Sequence, residues 1–554
     1  MDGRDEGARA PGRQGREQGM DERDEGARAP GRQGARGRGM DERDEGARAG
    51  DGQGKGRLQK KGRGAGVRGK PGARMEILFA ASELAPMIKV GGLADVVASL
   101  SKALRLLGHR VTIALPRYRA LESSGLMLAR RLTPLVLEGP GERAEVTLYD
   151  GRLGSGVDLL LIDIPGLYDR PGIYGEEGRD YPDNARRYGL FSRAVVEVMR
   201  QRARAGSPFD ILHAHDWPTA MACYLLREQQ PALPTRSVLT LHNIAPQGLF
   251  PREALATFGL GDQHFHPERV EFYGQVNFLK GGILAADVLT TVSDTYAREV
   301  QTPALGFRLD GVLRAHARKL AGIVNGIDYA VWNPMTDPAI VARYDAEDIS
   351  NKGRCKSAVL QEAGLEIRPD RPLIVSIGRV VEQKGSDLLA AALPKLLRND
   401  VSVLIAGEGD PDLMAQLRAA AGRAHGRAAY LGGVSEPVVH RLIAGADLVL
   451  LPSRYEPCGL VQLYAQRYGA VPIAHRTGGF VDTIVDLDAA LETGTGFLYD
   501  EPAAAGLIGG VQRALAAMAH PRWPAVRRRV MRLDLGWDRP ARRYAQIYRS
   551  VLQA

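Results

Sequence analysis

From residue 75 onward the chain repeats one pattern, in which short apolar segments alternate with stretches long enough to form a helix. The apolar segments are rich in leucine and β-branched residues and lack strict polar alternation, which is typical of strands buried on both faces of a parallel sheet. They lie at residues 76–81, 111–115, 157–164, 211–214, 237–241 and 288–292, and then at 373–377, 401–406, 428–431, 448–451 and 471–474. The pattern predicts an α/β fold built on doubly wound sheets.

The apolar segments fall into two series, which predict two domains of the same class. Turn signals separate the series at Asn325-Gly326 and Asn333-Pro334, so we place a hinge at residues 325–332. The cleft between two such domains is the expected ligand site, because both offer the carboxyl ends of strands. The expected divisions are a tail at residues 1–74, domains at 75–325 and 326–530, and a terminal helix at 531–554.

Composition narrows the class of protein. The chain has 554 residues, 44% of them hydrophobic, and no apolar run of the roughly 18 residues that a membrane span needs. Its three cysteines are scattered, which favours a reducing compartment over a disulfide framework. Residues 1–74 hold 19 Lys and Arg against 13 Asp and Glu, so the tail carries +6 of the net charge of +9. The folded part is therefore not expected to bind nucleic acid.

The tail is an imperfect repeat in which Asp-Glu-Gly-Ala-Arg-Ala begins at Asp5, Asp24 and Asp44. It is rich in Gly and Arg and contains no aromatic residue, so we expect it to be disordered. It lacks the apolar centre of a signal peptide and is too acidic for a transit peptide. Met75 directly precedes the first predicted strand, so we expect it to be the real or an alternative start, which intact-mass analysis of the native protein would test.

Residues 452–460 follow the apolar segment that ends at Leu451 and precede a predicted helix. Glu456 and the Gly459 backbone are therefore expected at the carboxyl end of a strand. A carboxylate, a tight turn and a helix N-terminus can together hold a ligand with hydroxyl groups and a negative charge. The alternative is a surface loop with a solvated glutamate.

Three further turns could hold a phosphate. Lys89 and Gly92 precede a predicted helix, whose N-terminus favours an anion. Arg379 and Lys384 are close enough along one loop to reach the same anion. A third candidate cradle is formed by Thr477, Gly478 and Gly479. Packing turns and solvated surface charges are the alternatives.

Histidines and an aspartate follow two other predicted strands. His213 and His215 precede Asp216, and His242 ends the next segment. This spacing lacks the helical His-x-x-x-His geometry of zinc hydrolases, so no metal site is expected. A carboxylate beside Trp217 suits sugar binding, and a structural role for His242 is the alternative.

Together these motifs resemble the bacterial glycogen and plant starch synthase family, which are retaining glycosyltransferases with two facing Rossmann-like domains, the GT-B fold. The similar segments lie at residues 89–97, 210–217, 241–250, 278–281, 292–299, 323–332, 377–387, 452–463 and 476–483. The resemblance implies transfer of glucose from ADP-glucose to the non-reducing end of an α-1,4-glucan. It also implies that the terminal helix crosses back onto the first domain, which is the acceptor domain, while the second binds the donor.

The resemblance assigns roles to individual residues. It places Lys89 and Gly92 at the donor diphosphate and has Arg379 and Lys384 neutralise the leaving group, with Asp216 and His242 on the acceptor and glucose side. Glu456 would bind glucose hydroxyls. The remaining donor-binding residues that it implies are Cys458, Gly459, Leu460, Tyr464, Thr477, Gly478 and Gly479.

No cofactor, metal or membrane partner is expected, and the expected location is the cytoplasm. The residues leave the donor open, since pocket shape around the base decides between ADP-glucose and UDP-glucose. The residues also leave room for a related transferase that uses a small acceptor and for a glucan-binding protein without activity. A binding protein of that kind would be expected to lack Glu456, Arg379 or Lys384, all of which are present.

Overall fold

The computed structural model describes residues 74–139, 141–176 and 178–554. The predicted disordered tail, apart from Arg74, lies outside the described residues. The strands of the first half are β1 (Glu76–Ala80), β2 (Arg110–Pro116), β3 (Leu128–Arg130), β4 (Leu135–Leu137), β5 (Ala144–Arg152), β6 (Asp158–Asp163), β7 (Gly175–Glu176), β8 (Arg179–Asp180), β9 (Ile211–His215), β10 (Arg236–Leu241), β11 (Leu249–Phe250), β12 (Glu271–Phe272), β13 (Gln275–Asn277), β14 (Val288–Thr291) and β15 (Leu320–Gly322). Those of the second half are β16 (Leu373–Ile377), β17 (Ser402–Ala406), β18 (Ala428–Leu431), β19 (Leu448–Leu451), β20 (Val471–His475) and β21 (Phe497–Tyr499).

Helices separate most of the strands that form the parallel parts of the two sheets, as the sequence pattern predicts. They are α1 (Gly92–Leu106), α2 (Asn184–Arg204), α3 (Trp217–Arg227), α4 (Leu255–Phe258), α5 (Phe278–Ala285), α6 (Asp294–Glu299), α7 (Asp310–Ala315), α8 (Lys352–Glu362), α9 (Ser386–Leu396), α10 (Pro411–Gly422), α11 (Glu436–Gly445), α12 (Val461–Arg467), α13 (Gly478–Thr483), α14 (Ala504–Met518), α15 (Trp523–Met531) and α16 (Asp538–Gln553). None of the helices in the described residues has both the length and the apolar character that crossing a membrane requires.

The sheet of the first half runs in the order β15-β14-β10-β9-β1-β2-β6-β5-β3, and β4 pairs with β5. Strands from β15 to β6 are parallel, and they include every strand predicted in the first series. Strand β5 runs antiparallel to β6 and extends the sheet with β3. This extension was not predicted, because only Val146 and Leu148 of β5 are buried and the strand has no continuous apolar run.

The second sheet is parallel throughout, in the order β18-β17-β16-β19-β20-β21. Its five predicted strands are confirmed, and the short strand β21 was missed. A mostly parallel sheet and a fully parallel one, each with helices packed against it, confirm the predicted α/β class.

Helix α16 packs into the core of the first half although it follows the second half in sequence. Its buried residues Tyr544 and Tyr548 belong to the same apolar cluster as β1, β9 and β10. The Tyr548 hydroxyl lies 2.7 Å from Nδ1 of His213 on β9. The chain therefore returns to the first half at its end, while the boundaries at residues 75–325, 326–530 and 531–554 stay a prediction.

Candidate active site

The carboxyl ends of strands from both sheets open into one cavity of about 900 Å³. Many of the predicted site residues line this cavity: Lys89, Gly92, Asp216, His242, Arg379, Lys384, Glu456, Cys458, Gly459, Leu460 and Tyr464. Thr477, Gly478 and Gly479 are not among the described residues that line it.

Glu456 lies in the turn between β19 and α12, and its side chain is only 9% exposed. Its carboxylate accepts a hydrogen bond from Lys384 Nζ and another, of 3.1 Å, from Ser453 Oγ. A carboxylate has about four lone-pair positions, so these two donors leave it able to accept hydroxyl groups from a ligand in the cavity.

Two cations, Arg379 and Lys384, follow β16 and line the same cavity as Glu456. Arg379 is exposed to the cavity and donates to Gln383 Oε1 at 3.3 Å, and no carboxylate of the described residues lies within ion-pair distance of it. The loop that carries Lys384 continues into Gly385, which has φ 69°. A Cβ atom on Gly385 would lie 2.1 Å from the Pro452 carbonyl oxygen, so only glycine lets this loop approach the end of β19 and bring Lys384 to Glu456.

The loop before α1 is held by a carboxylate that the sequence analysis did not single out. Glu83, three residues after the end of β1, accepts hydrogen bonds from the backbone N–H groups of Val90 at 2.8 Å and Gly91 at 2.9 Å. The Tyr174 hydroxyl donates to the same carboxylate at 2.7 Å. Burial raises the pKa of Glu83 even though these three donors favour its charged form. Both Glu83 and Tyr174 line the cavity.

Lys89, in the same loop, reaches across the cavity to the second half. Its ammonium group lies 2.9 Å from Asp95 and 2.6 Å from Glu436, the first residue of α11. Gly92 lies against the same half, because a Cβ atom on it would be 3.3 Å from Leu460 Cδ1. The two halves thus meet where the glycine loop of one faces the Glu456 turn of the other.

Asp216 and His242 form the opposite wall. Asp216 has φ 56°, and its Oδ1 accepts hydrogen bonds from the backbone N–H groups of His242 at 2.7 Å and Asn243 at 3.4 Å. Burial raises the pKa of Asp216 to about 8 and lowers the pKa of His242 to about 3. His242 is therefore neutral near pH 7 and acts as a hydrogen-bonding group.

The neighbouring histidines are bound by protein groups. His242 Nε2 lies 3.0 Å from His215 Nδ1, and both ring nitrogens of His213 lie within hydrogen-bond distance of hydroxyls, those of Thr240 and Tyr548. Burial lowers the pKa of His213 and His215 well below the usual value. Among residues 74–139, 141–176 and 178–554, no cluster of three or more His, Cys, Asp or Glu side chains is arranged to hold a metal ion.

The turn at Thr477 to Gly479 binds a carboxylate group of the protein itself. The carboxylate of Glu299, at the end of α6, accepts hydrogen bonds from the Gly478 backbone N–H at 2.9 Å and from the Thr477 hydroxyl at 3.1 Å. Gly479 donates its backbone N–H to the Glu456 carbonyl oxygen at 3.0 Å. The turn thus contacts both the Glu456 loop and the first half, and a role of Thr477, Gly478 and Gly479 in binding the donor phosphate stays a prediction.

Tyr464, on α12, also contributes to both the cavity and a core. Its ring stacks on Trp332 with a centroid distance of 3.7 Å and an interplanar angle of 10°, and the other face of Trp332 stacks on His440 at 3.8 Å. Burial raises the pKa of the Tyr464 hydroxyl, which is therefore protonated at neutral pH.

Comparison with known proteins agrees with this arrangement. Residues 76–315 match the model of the starch synthase catalytic domain, and residues 360–522 match that of the glycosyl transferases group 1. Glycogen synthase of Paracidovorax citrulli is 43% identical over 484 residues, which cover 86% of this chain and 94% of the relative. Glycogen synthase of an Anaeromyxobacter species is also 43% identical, over 86% of this chain and 99% of its own length.

Among solved structures, the catalytic domain of starch synthase IV from Arabidopsis thaliana, bound to ADP and acarbose, superposes with a TM-score of 0.80 at 31% identity. That comparison covers 87% of this chain and all of the other. A sucrose-phosphate synthase from Thermosynechococcus elongatus, at 18% identity and a TM-score of 0.55, shares the fold. The chain therefore belongs to the glycogen and starch synthase family of GT-B glycosyltransferases and is a hexosyltransferase.

Proposed function

We propose that the enzyme transfers glucose from ADP-glucose to the non-reducing end of an α-1,4-glucan and retains the anomeric configuration. The observation that carries the proposal is one cavity that is lined by the cations Arg379 and Lys384 and by the buried carboxylate of Glu456, which Lys384 contacts. A nucleoside diphosphate requires positive charge, and a glucosyl group requires hydrogen-bond acceptors. Both lie within one cavity, lined by residues of both halves.

In the proposed reaction, the bond between glucose C1 and the diphosphate oxygen breaks as the acceptor hydroxyl forms a new bond to C1. The hydroxyl proton passes to the leaving diphosphate, on the face from which the acceptor attacks. Arg379 and Lys384 neutralise the charge that grows on the diphosphate, an electrostatic contribution of about 3 kcal/mol for each well-placed group. In this scheme the two side chains supply the positive charge that a divalent metal supplies in other transferases, and no cofactor takes part.

The remaining groups orient the substrates. Lys89 releases its ion pairs with Glu436 and Asp95 and binds the diphosphate instead. The backbone N–H groups at Gly92 and at Cys458 to Leu460 face the phosphates. Tyr464 lies on the nucleotide side. Glu456 accepts hydroxyl groups of the transferred glucose, and Asp216 and His242 border the acceptor and the glucose.

The relatives support the choice of substrates. The solved structure of the starch synthase IV catalytic domain is bound to ADP and acarbose. We also propose that the enzyme works in the cytoplasm. Cys223, Cys355 and Cys458 are all free and buried, which suits a reducing compartment.

The test is incorporation of labelled glucose into glycogen by the purified full-length protein, with ADP-glucose and UDP-glucose offered separately. Incorporation from ADP-glucose that is lost in Glu456→Ala supports the proposal. A clear preference for UDP-glucose would show that the donor is wrong. Absence of transfer from either donor would point to a small acceptor or to a glucan-binding protein without activity.

A further inference from the structure

An exposed tyrosine forms the tip of the hairpin between β12 and β13. Tyr273 and Gly274 make the two-residue turn, with φ values of 51° and 80°. Positive φ at both positions is the geometry of a turn that favours Asn and Gly, and it is unfavourable for a bulky aromatic residue. The ring of Tyr273 touches Phe272 edge-on at 4.8 Å, yet the residue remains 70% exposed. Neither backbone preference nor burial accounts for a tyrosine at this position.

A second residue with left-handed backbone lies over this ring. Arg308 has φ 68° and follows Phe307, which has φ 48°. The guanidinium carbon of Arg308 lies 5.2 Å from the centroid of the Tyr273 ring. Within the described part of the chain no carboxylate lies at ion-pair distance from Arg308, which is itself exposed. Its N–H groups are thus available to a ligand beside the aromatic ring.

The loop that carries Arg308 is attached to the wall of the cavity. Gln247 donates its side-chain N–H to the Phe307 carbonyl oxygen at 2.8 Å, and its neighbour Pro246 lines the cavity. The Phe307 ring lies 5.3 Å from the ring of Tyr455, the residue before Glu456. The hairpin is also continuous with this wall, because β13 pairs with β11, which begins two residues after Gln247. The Tyr273–Arg308 pair is therefore connected to the Glu456 turn and lies outside the cavity lining.

We propose that Tyr273 and Arg308 form an outer binding site for the α-glucan acceptor, which holds glucose units farther from the reacting end. An exposed aromatic face packs against the apolar face of a pyranose ring, and a guanidinium donates hydrogen bonds to hydroxyl groups. Strained backbone persists where a ligand site requires it, and three strained residues meet here. The inference rests on the proposed function, since it assumes a glucan acceptor. It adds a preference for acceptors long enough to leave the cavity.

The test compares two acceptors, glycogen and maltotriose, with the same donor. Tyr273→Asn removes the ring and keeps a residue that suits the left-handed turn, so the hairpin should still form. We expect the ratio of kcat/KM for glycogen to kcat/KM for maltotriose to fall about three- to tenfold, which matches the loss of one aromatic contact. Arg308→Gly, which also tolerates positive φ, should lower the ratio in the same direction.

Met127→Ala is the matched control, because Met127 is 90% exposed and takes no part in either site. It should leave the ratio as in the wild type. Retardation of Tyr273→Asn in native gels that contain glycogen should decrease in parallel. An unchanged ratio, or equal losses with both acceptors, would overturn the outer site while leaving the proposed function intact. A wild-type enzyme that transfers no glucose to glycogen would remove the proposed function and this inference together.

Discussion

Removal of the Glu299 carboxylate should lower the kcat/KM of the enzyme, because Glu299 binds the turn at Thr477 to Gly479, which also contacts Glu456. Glu299 accepts two hydrogen bonds from the second half, from the Gly478 backbone and the Thr477 hydroxyl. The same turn supports Glu456, because Gly479 donates to the Glu456 carbonyl oxygen. Glu299→Ala therefore leaves two donors without an acceptor and loosens the contact between the two halves directly behind Glu456.

The two hydrogen bonds to Glu299 set the size of the expected loss of free energy. A hydrogen bond to a charged group contributes about 1.5–3 kcal/mol, so two such bonds set an upper limit near 6 kcal/mol. Desolvation opposes this gain: burial raises the pKa of Glu299, and its Oε2 is buried without a hydrogen-bond partner among the described residues. A net loss of about 1–3 kcal/mol is expected. If the loss falls on the positioning of Glu456, kcat/KM decreases about 5- to 150-fold.

The assay is a double-mutant cycle on kcat/KM, with Glu299→Ala, Thr477→Val and the combined variant. Glu299→Gln is the control, because its amide oxygen still accepts both hydrogen bonds and should keep more of the activity. Thermal unfolding of each variant separates a loss of positioning from a loss of stability. Wild-type kcat/KM in Glu299→Ala would refute a role of Glu299 in positioning Glu456. So would effects of Glu299→Ala and Thr477→Val on kcat/KM that simply add.

Three further outcomes are expected. The pKa of Asp216 is about 8 in the native protein and about 3.9 in the unfolded chain, so the unfolded chain binds fewer protons between these pH values. The contribution of Asp216 to the free energy of unfolding therefore falls as the pH rises from about 3.9 to about 8. Asp216→Asn should flatten that decline, and identical midpoint-against-pH curves from calorimetry would contradict it. In initial-rate measurements, Lys89→Ala should raise the KM for the nucleotide sugar about tenfold or more. Glu436→Gln removes only a partly exposed ion-pair partner and should change this KM less than about fivefold. Equal effects of the two variants would count against a role of Lys89 in donor binding. Tyr548→Phe leaves His213 Nδ1 buried without its partner, at a cost of about 1–3 kcal/mol, so calorimetry should show a lower melting temperature, and an unchanged one would refute the importance of this contact.

The two parallel sheets were predictable because strands covered on both faces consist of continuous apolar residues. Strand β5 was not, since only two of its residues are buried and the charged residues Glu145, Asp150 and Arg152 limit its apolar run. The hairpin of β12 and β13 was also missed, because its strands have only two and three residues.

The candidate site was predictable where function depends on a local pattern. Glycines and charged residues directly after strands indicated Lys89, Arg379, Lys384 and Glu456, and the structure brings them to one cavity. Contacts between residues far apart in sequence were not predictable. Thr477 to Gly479 has the pattern of an anion site, but the carboxylate that it binds lies 179 residues before Gly478. The sequence likewise contains no sign that Glu83 holds residues 90 and 91.

Helix α16 has a consequence for the order of synthesis. The ribosome releases the strands of the first half long before Tyr544 and Tyr548, yet these two residues complete the apolar cluster around β9 and β10. During translation the first half is thus left with uncovered apolar surface until the final turn of the chain emerges, and such surface favours aggregation. A nascent chain that stalls before residue 538 would contain all the cavity residues and still lack a finished first half.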